Sequence, residues 1–425
     1  MDDEQKPYDF IKEVIKKQPK NRMLLARRAA VLVCSAVVFG VVAAFVFAAV
    51  YPKMQGIFVK EEPPRVNIPQ DDLPTPVPTE TAEATPTPTD APEISVSPTP
   101  QAQLGLAQYK KLFQEMMEAA APARKAMVTV IGITNNTDWF DQEYESQRQM
   151  SGMIVADTEE AMFILTEYRI VENVERIQVR FCNSVQVDAR YQKHDPVTGL
   201  TILKVPYSSI TAETKRMIQV AALGSSYTIM QGEPVMALGS PAGYQESVSY
   251  GVVTSLENKV SKTDVQYSLI TTDIAGNKDG SGVLINLDGE VIGVMLQSCA
   301  ADNNGIVTCV GISQIKQLIN QLSNNEAIPY VGINGWEVSK EISEKTGVPK
   351  GVWVESVAEN SPAMLAGIQN GDVIVKMGDS EVENMTQYHN RLSECRLGQI
   401  IKIAVWRKGT EGYVEIIFDV MPGAL

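Results

Sequence analysis

The 425-residue sequence has few histidines and lacks the cysteine spacing of a zinc site, and these absences exclude some classes of function. It contains two histidines and five cysteines, and no two cysteines form a Cys-x-x-Cys pair. Structural zinc sites need clustered Cys and His ligands, and we expect no metal site and no bound cofactor. Basic residues are outnumbered: 37 Lys and Arg stand against 51 Asp and Glu, a net charge of −14. Because nucleic-acid binding depends on clustered positive charge, we expect no nucleic-acid partner.

A long apolar run near the N-terminus predicts a membrane anchor. Residues 29–51 read AAVLVCSAVVFGVVAAFVFAAVY and carry no charge. At about 1.5 Å per residue, a helix of this length crosses a hydrocarbon core of roughly 30 Å. Segment 1–28 has more Lys and Arg than the stretch after the run, so we expect it to be cytoplasmic and the later domains to be extracytoplasmic, with the chain held in the cell membrane by one helix. A cleaved signal peptide is the alternative, although its apolar part usually spans only about 7–15 residues.

Residues 52–103 differ in composition from the rest of the chain. They are rich in Pro, Thr, Asp and Glu, as in LPTPVPTETAEATPTPTDAP. Such a stretch has too few large apolar residues to build a core, so we predict a disordered linker. Proline stiffens the linker, which acts either as a spacer across a cell wall or as a passive tether.

After the linker, the sequence takes on the patterns of folded domains. The stretch 104–126 has a helical apolar pattern and predicts one or two turns of helix interrupted by Pro122. From residue 127 to about 325, short β-rich runs such as SGMIVAD and EPVMALG alternate with Gly, Asn, Asp and Pro, which is typical of an all-β barrel or sandwich. A second β-rich unit, with a helix predicted over 384–395, forms a separate small domain at the C-terminal end.

Six motifs occur along the chain in an order that identifies a family. They are SGMIVAD, ILTEYRIVENVERIQVRF, DPVTGLTILKV, GEPVMALGSPAGYQESVSYGVVTSLE, TTDIAGNKDGSGVLINLDGEVIGV and SPAMLAGIQNGDVI. Together they resemble the HtrA-type membrane-anchored serine proteases. The resemblance implies a mainly β fold, with a chymotrypsin-like double β-barrel at 104–326 and a PDZ domain at 328–425. It also implies trimers formed through the barrel domain.

The resemblance places Ser281 of TTDIAGNKDGSGVLIN at the position of the catalytic nucleophile. It places Asp279 where the family has the glycine whose N–H stabilises the oxyanion. Glycine lets the backbone aim that N–H into the oxyanion hole, and a side chain makes the required conformation harder to adopt. The proline and one of the glycines that follow the family's serine are missing here. We therefore expect Ser281 to lie in a loop of the barrel without acting as a nucleophile.

The other two triad positions are also changed. ILTEYRIV places Arg169 at the family's histidine, and DPVTGLTILKV places Gly199 at its aspartate. Arg cannot accept a proton at ordinary pH, and Gly has no side chain that could orient a base. Loss of one triad member typically costs on the order of 10⁴ in rate, so the sequence predicts a pseudoprotease. The competing hypothesis is an active endopeptidase with a non-standard base at Ser281.

Four other side chains are candidates for such a base. His194 and His389 are the two histidines, but neither occupies the family's base position, and a surface histidine is the simpler interpretation of each. Lys278 or Lys204 would form a Ser-Lys dyad if burial removed its proton. An exposed loop lysine is the simpler interpretation of both.

The C-terminal domain contains a stretch that resembles the carboxylate-binding loop of PDZ domains: Tyr330, Val331, Gly332 and Ile333. In such domains, backbone N–H groups receive the terminal carboxylate of a peptide while the next strand pairs with the peptide. Tyr388 and Leu392 lie four residues apart on the predicted helix. They either form the other wall of the groove or are ordinary core residues.

Cys299 and Cys309 flank the polar stretch AADNNGIVT. On the extracytoplasmic side disulfides persist, so the two residues either form a disulfide or are two small buried residues.

The sequence as a whole favours a membrane-tethered, non-catalytic HtrA-like protein that binds the C-termini or unfolded segments of other polypeptides. Its role would be that of a scaffold, a sensor or a regulator in envelope protein quality control, as a homotrimer or in a hetero-assembly with an active relative. An envelope protein with a vestigial groove is the simpler alternative.

Overall fold

The computed structural model describes residues 27, 31, 33–45, 64–72, 105–137, 143–299 and 305–425. The chain divides into two units, residues 1–63 and residues 64–425. In the first unit, residues 33–45 are helical and expose large apolar side chains such as Val37 and Phe39. Within the described ranges, no helix is both long enough and apolar enough to span a membrane. Apart from Val31, the rest of the predicted transmembrane helix lies outside the described residues, as does the segment before it except Arg27.

Part of the predicted linker packs against the barrels. Within residues 64–72, Val66 and Ile68 are buried among the side chains of the core between the barrels. Asp71 Oδ1 lies 2.7 Å from Lys316 Nζ, whose side chain is also buried. For these nine residues the prediction of a disordered linker is wrong, because two apolar side chains and one acid find partners that the composition of the whole stretch does not reveal. The other residues of that linker lie outside the described part of the chain.

Two helices lead into the first barrel, α1 (Leu106–Ala119) and α2 (Ala121–Ala126). Pro122 lies in the first turn of α2, where N–H groups have no hydrogen-bond partner within the helix, so the absence of an N–H costs no hydrogen bond. The predicted one or two turns are too short, since α1 alone has 14 residues. None of those residues is buried, although Phe113 packs edge-to-face on Tyr250.

The first six strands form a closed barrel in the order β1-β2-β3-β6-β5-β4. They are β1 (Met127–Thr137), β2 (Glu143–Asp157), β3 (Ala161–Glu167), β4 (Arg176–Arg180), β5 (Gln186–His194) and β6 (Leu200–Pro206). Strand β3 is buried along its whole length. Met162 and Ile164 pack inside this barrel, while Phe163 and Leu165 pack in the core shared with the second barrel. The alternation of a strand thus explains why the run MFIL is apolar throughout.

The second barrel has seven strands in the order β13-β12-β11-β7-β8-β10-β9, and pairing of β10 with β13 closes it. They are β7 (Pro234–Ser240), β8 (Ser247–Ser255), β9 (Lys259–Lys262), β10 (Val265–Ala275), β11 (Ser281–Ile285), β12 (Val291–Met295) and β13 (Ile306–Gly311). Helix α3 (Ala212–Met217) precedes this barrel and α4 (Lys316–Ser323) follows it. Strands β9 and β10 form a hairpin with Thr263 and Asp264 at its turn.

The C-terminal domain has its own sheet, in the order β15-β16-β17-β19-β20, and β18 pairs with β17. These strands are β15 (Ile333–Val338), β16 (Gly351–Val357), β17 (Val373–Met377), β18 (Ser380–Glu381), β19 (Ile401–Lys408) and β20 (Tyr413–Val420). A second, two-stranded sheet joins β14 (Pro329–Tyr330) to β21 (Gly423–Ala424). The helices are α5 (Lys340–Thr346), α6 (Pro362–Ala366) and α7 (Met385–Ser393). The predicted mainly β double barrel with a separate C-terminal β domain is confirmed.

Candidate functional site

The three residues that the sequence resemblance assigns to triad positions lie where the two barrels meet. Arg169 follows β3 and Gly199 precedes β6, both in the first barrel, while Ser281 begins β11 of the second. Strands β3 and β6 pair, and Tyr168 N donates to the carbonyl oxygen of Gly199 at 2.7 Å. The fold therefore places the segments of Arg169 and Gly199 side by side, although one contributes a cation and the other no side chain.

Ser281 is a strand residue, which corrects the expectation that it lies in a loop. It pairs with Ser240 of β7, because the apolar run that follows it continues directly into the sheet. Only 3% of Ser281 is exposed, and its Oγ accepts a hydrogen bond from Ser151 N at 3.1 Å. The cavity beside it, also lined by Glu167, has a volume of about 20 Å³. That volume holds about one water molecule.

The backbone before Ser281 forms a turn that uses the N–H of the oxyanion position. Asp279 N donates to Asn277 Oδ1 at 3.1 Å, and Gly280 N donates to the carbonyl oxygen of Asn277 at 2.8 Å. An oxyanion hole needs preorganised donors that point at the developing negative charge. In this turn the N–H of Asp279 points at a side chain of the turn itself.

Arg169, which the sequence resemblance places at the position of the base, forms an ion cluster. Its Nη2 lies 3.3 Å from Glu167 Oε1, and its Nη1 lies 3.9 Å from Asp279 Oδ1. Glu167 is buried, and its Oε2 accepts from Gln297 N at 3.3 Å. Burial raises the pKa of Glu167, and the charge of Arg169 opposes that rise. The residue at the base position and the residue at the oxyanion position thus bind each other electrostatically.

Sequence reasoning missed Glu167, although a signal was present in ILTEYRIV. Residues two apart at the end of a strand can lie on the same side of the chain. A carboxylate two residues before Arg169 was therefore a candidate partner for the guanidinium.

Neither histidine contacts Ser281 within the described residues. His194 Nδ1 lies 2.6 Å from the hydroxyl oxygen of Tyr191. His389 belongs to the C-terminal domain, and its Nδ1 lies 3.1 Å from the carbonyl oxygen of Asp264. Burial lowers the pKa of both imidazoles, so each is held in its neutral form to lower pH than usual.

The two candidate lysines and the two candidate cysteines have ordinary surroundings. Lys278 is exposed, so it is not desolvated as a Ser-Lys dyad requires. Lys204 Nζ lies 5.9 Å from the centre of the Phe163 ring. Cys299 and Cys309 are both buried free thiols, so the structure has two small buried residues at these positions instead of a disulfide.

The loop of the C-terminal domain that resembles a carboxylate-binding loop holds a carboxylate of the same chain. Val331 N and Gly332 N donate to Asp264 Oδ2 at 2.8 and 2.7 Å, and Ile333 N donates to Asp264 Oδ1 at 3.0 Å. The hydroxyl of Tyr388 also donates to Asp264 Oδ1, at 2.8 Å. Four donors thus converge on the side chain at the turn of the β9–β10 hairpin.

The shape of this loop depends on a glycine. Gly332 has φ +92°, and a Cβ at this position would lie 2.3 Å from Ser361 Cβ. Both the dihedral and the space therefore require a residue without a side chain. Tyr330, the first residue of the loop, lies in β14 and pairs with Gly423.

Helix α7 forms the other side of this site. The side chain of Asn384 caps it by accepting from Gln387 N at 2.9 Å. Tyr388 and Leu392 are both buried in the core of the domain. Tyr388 also binds Asp264 through its hydroxyl, and Leu392 lines a cavity together with Asp264. Both side chains are therefore core residues, and a role as the wall of a peptide groove stays a prediction.

The sequence analysis did not identify Asp264 as a site residue. The run VSKTDVQYSL contains no two-residue turn signal of the Asn-Gly or Asp-Gly type, so the sequence does not indicate its hairpin. Asp264 has φ +62°, and Asp tolerates this left-handed conformation better than most residues. Burial raises the pKa of Asp264, and its hydrogen bonds from three backbone N–H groups and from the Tyr388 hydroxyl oppose the rise.

Comparison with family models matches residues 150–294 to a trypsin-like peptidase domain and residues 321–417 to a PDZ domain. Among curated proteins, the chain is 28% identical over 289 residues to a probable periplasmic serine endoprotease DegP-like of Pseudomonas putida (strain GB-1), covering 66% of this chain and 58% of that protein. It is 26% identical over 336 residues to the serine protease Do-like HtrA of Bacillus subtilis (strain 168), covering 72% of each. The match to the first relative therefore spans less than two thirds of that protein's length.

Among solved structures, the HtrA-type protease AlgW with decapeptide has a TM-score of 0.56 and 20% identity, and the match covers 73% of this chain and 98% of that one. At this identity the likeness concerns the fold. The family models, the relatives and the fold agree with one another and with the order of the motifs. The chain therefore carries a trypsin-like peptidase domain followed by a PDZ domain, and it is similar to HtrA-type proteases.

Proposed function

We propose that this protein is a membrane-anchored, extracytoplasmic pseudoprotease that binds polypeptide segments through its PDZ domain, as a scaffold, sensor or regulator in envelope protein quality control. The main support for a lack of proteolytic activity is the ion cluster at the base position. Arg169 is held there by Glu167 and Asp279. A guanidinium cannot take a proton from Ser281, so the serine stays a neutral hydroxyl.

The remaining catalytic apparatus supports the same conclusion. Loss of the base and of its orienting carboxylate removes a unit whose members each contribute on the order of 10⁴ in rate. Loss of one oxyanion donor costs a further factor of about 10²–10³. The hydroxyl of Ser281 is also buried against Ser151, which limits the approach of a substrate.

A casein-degradation assay on the full chain in detergent tests this loss. Bacillus subtilis HtrA serves as the active reference, and Ser281→Ala serves as the matched control. We expect the wild type and Ser281→Ala to give the same background rate. Casein cleavage by the wild type that disappears in Ser281→Ala would establish the competing function, an endopeptidase with a non-standard base.

Binding of polypeptides is supported by the carboxylate-binding geometry of residues 331–333, whose three N–H groups already hold one carboxylate. A peptide C-terminus presents the same chemical group, and its preceding residues would pair with β15. The AlgW structure cited above contains a decapeptide, which supports a peptide as the ligand class. Failure of the full chain and of its variants to bind any peptide would favour the alternative of a vestigial groove.

Anchoring by one helix is supported by the exposed apolar side chains at 33–45 and by the uncharged run that contains them. The DegP-like relative is named as periplasmic, which supports an extracytoplasmic position of the folded domains. Alkaline carbonate extraction of membranes, followed by protease digestion of intact cells, tests both points. Release of the full-length protein by carbonate would contradict the anchor.

Assembly into a homotrimer, or with an active relative, is supported by helix α1. Phe113 and Met116 of this helix contact the rest of the protein, but Leu106, Tyr109 and Leu112 are exposed, which leaves an apolar surface for another copy or a relative to cover. Light scattering of the detergent-solubilised protein measures the number of copies. A monomer that becomes no larger on addition of an active relative would contradict this part of the proposal.

A further inference from the structure

We propose that Asp264 is a built-in ligand of the PDZ groove, which keeps the groove closed until the C-terminus of another polypeptide displaces the β9–β10 hairpin. This inference concerns the regulation of the peptide-binding site and rests on the proposed binding function. It assigns to the hairpin of the second barrel an inhibitory role that is separate from the lost protease chemistry.

The side chain of Asp264 presents the same chemical group as the C-terminus of a peptide. A terminal carboxylate offers two oxygens to the N–H groups of the loop. The side chain of Asp264 offers the same two oxygens: Oδ2 accepts from Val331 and Gly332, and Oδ1 accepts from Ile333. Hydrogen bonds to a charged acceptor are about twice as strong as neutral ones, so these contacts hold the hairpin firmly.

The backbone of the hairpin also lies beside β15, where a bound peptide would pair. Asp264 N donates to the carbonyl oxygen of Ile333 at 2.7 Å, which is a bond that a strand added to β15 would make. Further along β15, Ser261 Oγ donates to the carbonyl oxygen of Gly335 at 2.7 Å. Thr263 Oγ1 lies 3.1 Å from Asn334 Oδ1. Contacts from the hairpin thus follow the strand over three successive residues.

Helix α7 closes the site from the opposite side. The hydroxyl of Tyr388 donates to the carboxylate of Asp264, and His389 Nδ1 contacts its carbonyl oxygen. Both Asp264 and Tyr388 are buried. Asp264 thus contacts the loop and β15 on one side and helix α7 on the other. A second carboxylate cannot enter the site while the hairpin is in place.

Because the hairpin belongs to the same chain, it competes at the high effective concentration of a tethered ligand, which reaches the millimolar range for short connections. The apparent dissociation constant of an external peptide is the intrinsic constant divided by the fraction of open groove. Removal of the carboxylate should therefore tighten peptide binding. The loss of even one charge-assisted hydrogen bond from the closed state corresponds to a factor of about ten or more.

The test uses the full chain in detergent and two variants of Asp264. Asp264→Asn keeps the shape and tolerates the left-handed backbone, and Asp264→Gly removes the side chain without strain at φ +62°. Asp288→Asn is the matched control, because Asp288 is an exposed acid on a different hairpin of the same barrel. Labelled protein is applied to an array of decapeptides with free carboxylates and to the same array with amidated C-termini.

We expect both Asp264 variants to bind carboxylate peptides at least about tenfold more tightly than the wild type and the control, with a much smaller gain for amides. Equal binding of acids by the wild type and the variants would overturn the inference and leave the peptide-binding function standing. Equal gains for acids and amides would also overturn it, because a loosened domain contact would then explain the effect. Absence of binding by every protein would refute both the inference and the binding function.

Amide hydrogen exchange gives a second readout that needs no peptide. The N–H groups of Val331, Gly332 and Ile333 are engaged by Asp264 and should exchange at least about tenfold faster in both variants. The core amides of Val352 and Ile374 should keep their protection if the domain stays folded. Unchanged exchange at residues 331–333 in a folded variant would show that Asp264 does not hold the loop.

Discussion

Restoring the two missing triad side chains should not restore proteolysis. In the double variant Arg169→His, Gly199→Asp, the N–H of Asp279 is still bonded to Asn277, and Ser281 Oγ is still buried against Ser151. Loss of one oxyanion donor alone costs about 10²–10³ in kcat. We therefore expect the double variant to remain at least about 100-fold below an active relative.

The double variant should also be less stable than the wild type, because it removes the guanidinium beside the buried Glu167. A hydrogen bond to a charged group contributes about 1.5–3 kcal/mol, and the partial exposure of Arg169 places the cost at the lower end of that range. Urea titration gives this cost directly. It also shows whether the kinetic comparison is made on folded protein.

Casein hydrolysis is the assay for the double variant, with Bacillus subtilis HtrA as the reference and Ser281→Ala in the same background as the control. Adding Asp279→Gly to the double variant should raise the rate, since glycine allows the backbone to turn its N–H toward Ser281. A double variant that matches the reference would refute the reasoning about the oxyanion position.

Three further predictions concern the loop and the ion cluster. Gly332→Ala should lower the Tm of the C-terminal domain and weaken peptide binding, because its Cβ would lie 2.3 Å from Ser361 Cβ, and calorimetry that finds an unchanged Tm would contradict this. In the Asp264→Asn background, amidation of a bound peptide should weaken binding by about tenfold or more, as measured by fluorescence anisotropy, whereas equal affinities for acid and amide would eliminate the carboxylate mechanism. Burial raises the pKa of Glu167, so its contribution to stability is greatest below its ordinary pKa of 4.5 and is lost as the pH rises through the raised pKa. The unfolding free energy of the wild type minus that of Glu167→Gln should thus fall as the pH rises above 4.5, and a difference that grows with pH in urea titrations would show the opposite linkage.

Much of the architecture could be predicted from the sequence because β-rich runs bounded by turn residues indicate strands. The runs GVWVESV and YVEIIFDV coincide with β16 and β20. Helix α7 lies within the predicted helix at 384–395, where Asn384 supplies a cap. In these segments, local propensity and tertiary packing favour the same structure.

The parts that could not be predicted depend on contacts between segments that are distant in the chain. Asp264 is an ordinary hairpin acid until the C-terminal domain packs on it, 67 residues or more along the chain. The ion cluster of Arg169 likewise needs Asp279 from the other barrel. The packing of residues 64–72 also depends on a distant element, since Val66 bonds to Asn324. Local sequence patterns carry no information about such partners.

The most direct test of the pseudoprotease proposal is the reaction of the full chain with a fluorophosphonate, read by intact-protein mass spectrometry and peptide mapping. A nucleophilic serine attacks the phosphorus, displaces fluoride and retains the phosphonyl group as a mass increase, whereas a serine without a base does not. The account predicts no adduct on Ser281 under conditions that fully label an active HtrA protease. An adduct mapped to Ser281, and absent from Ser281→Ala, would contradict it.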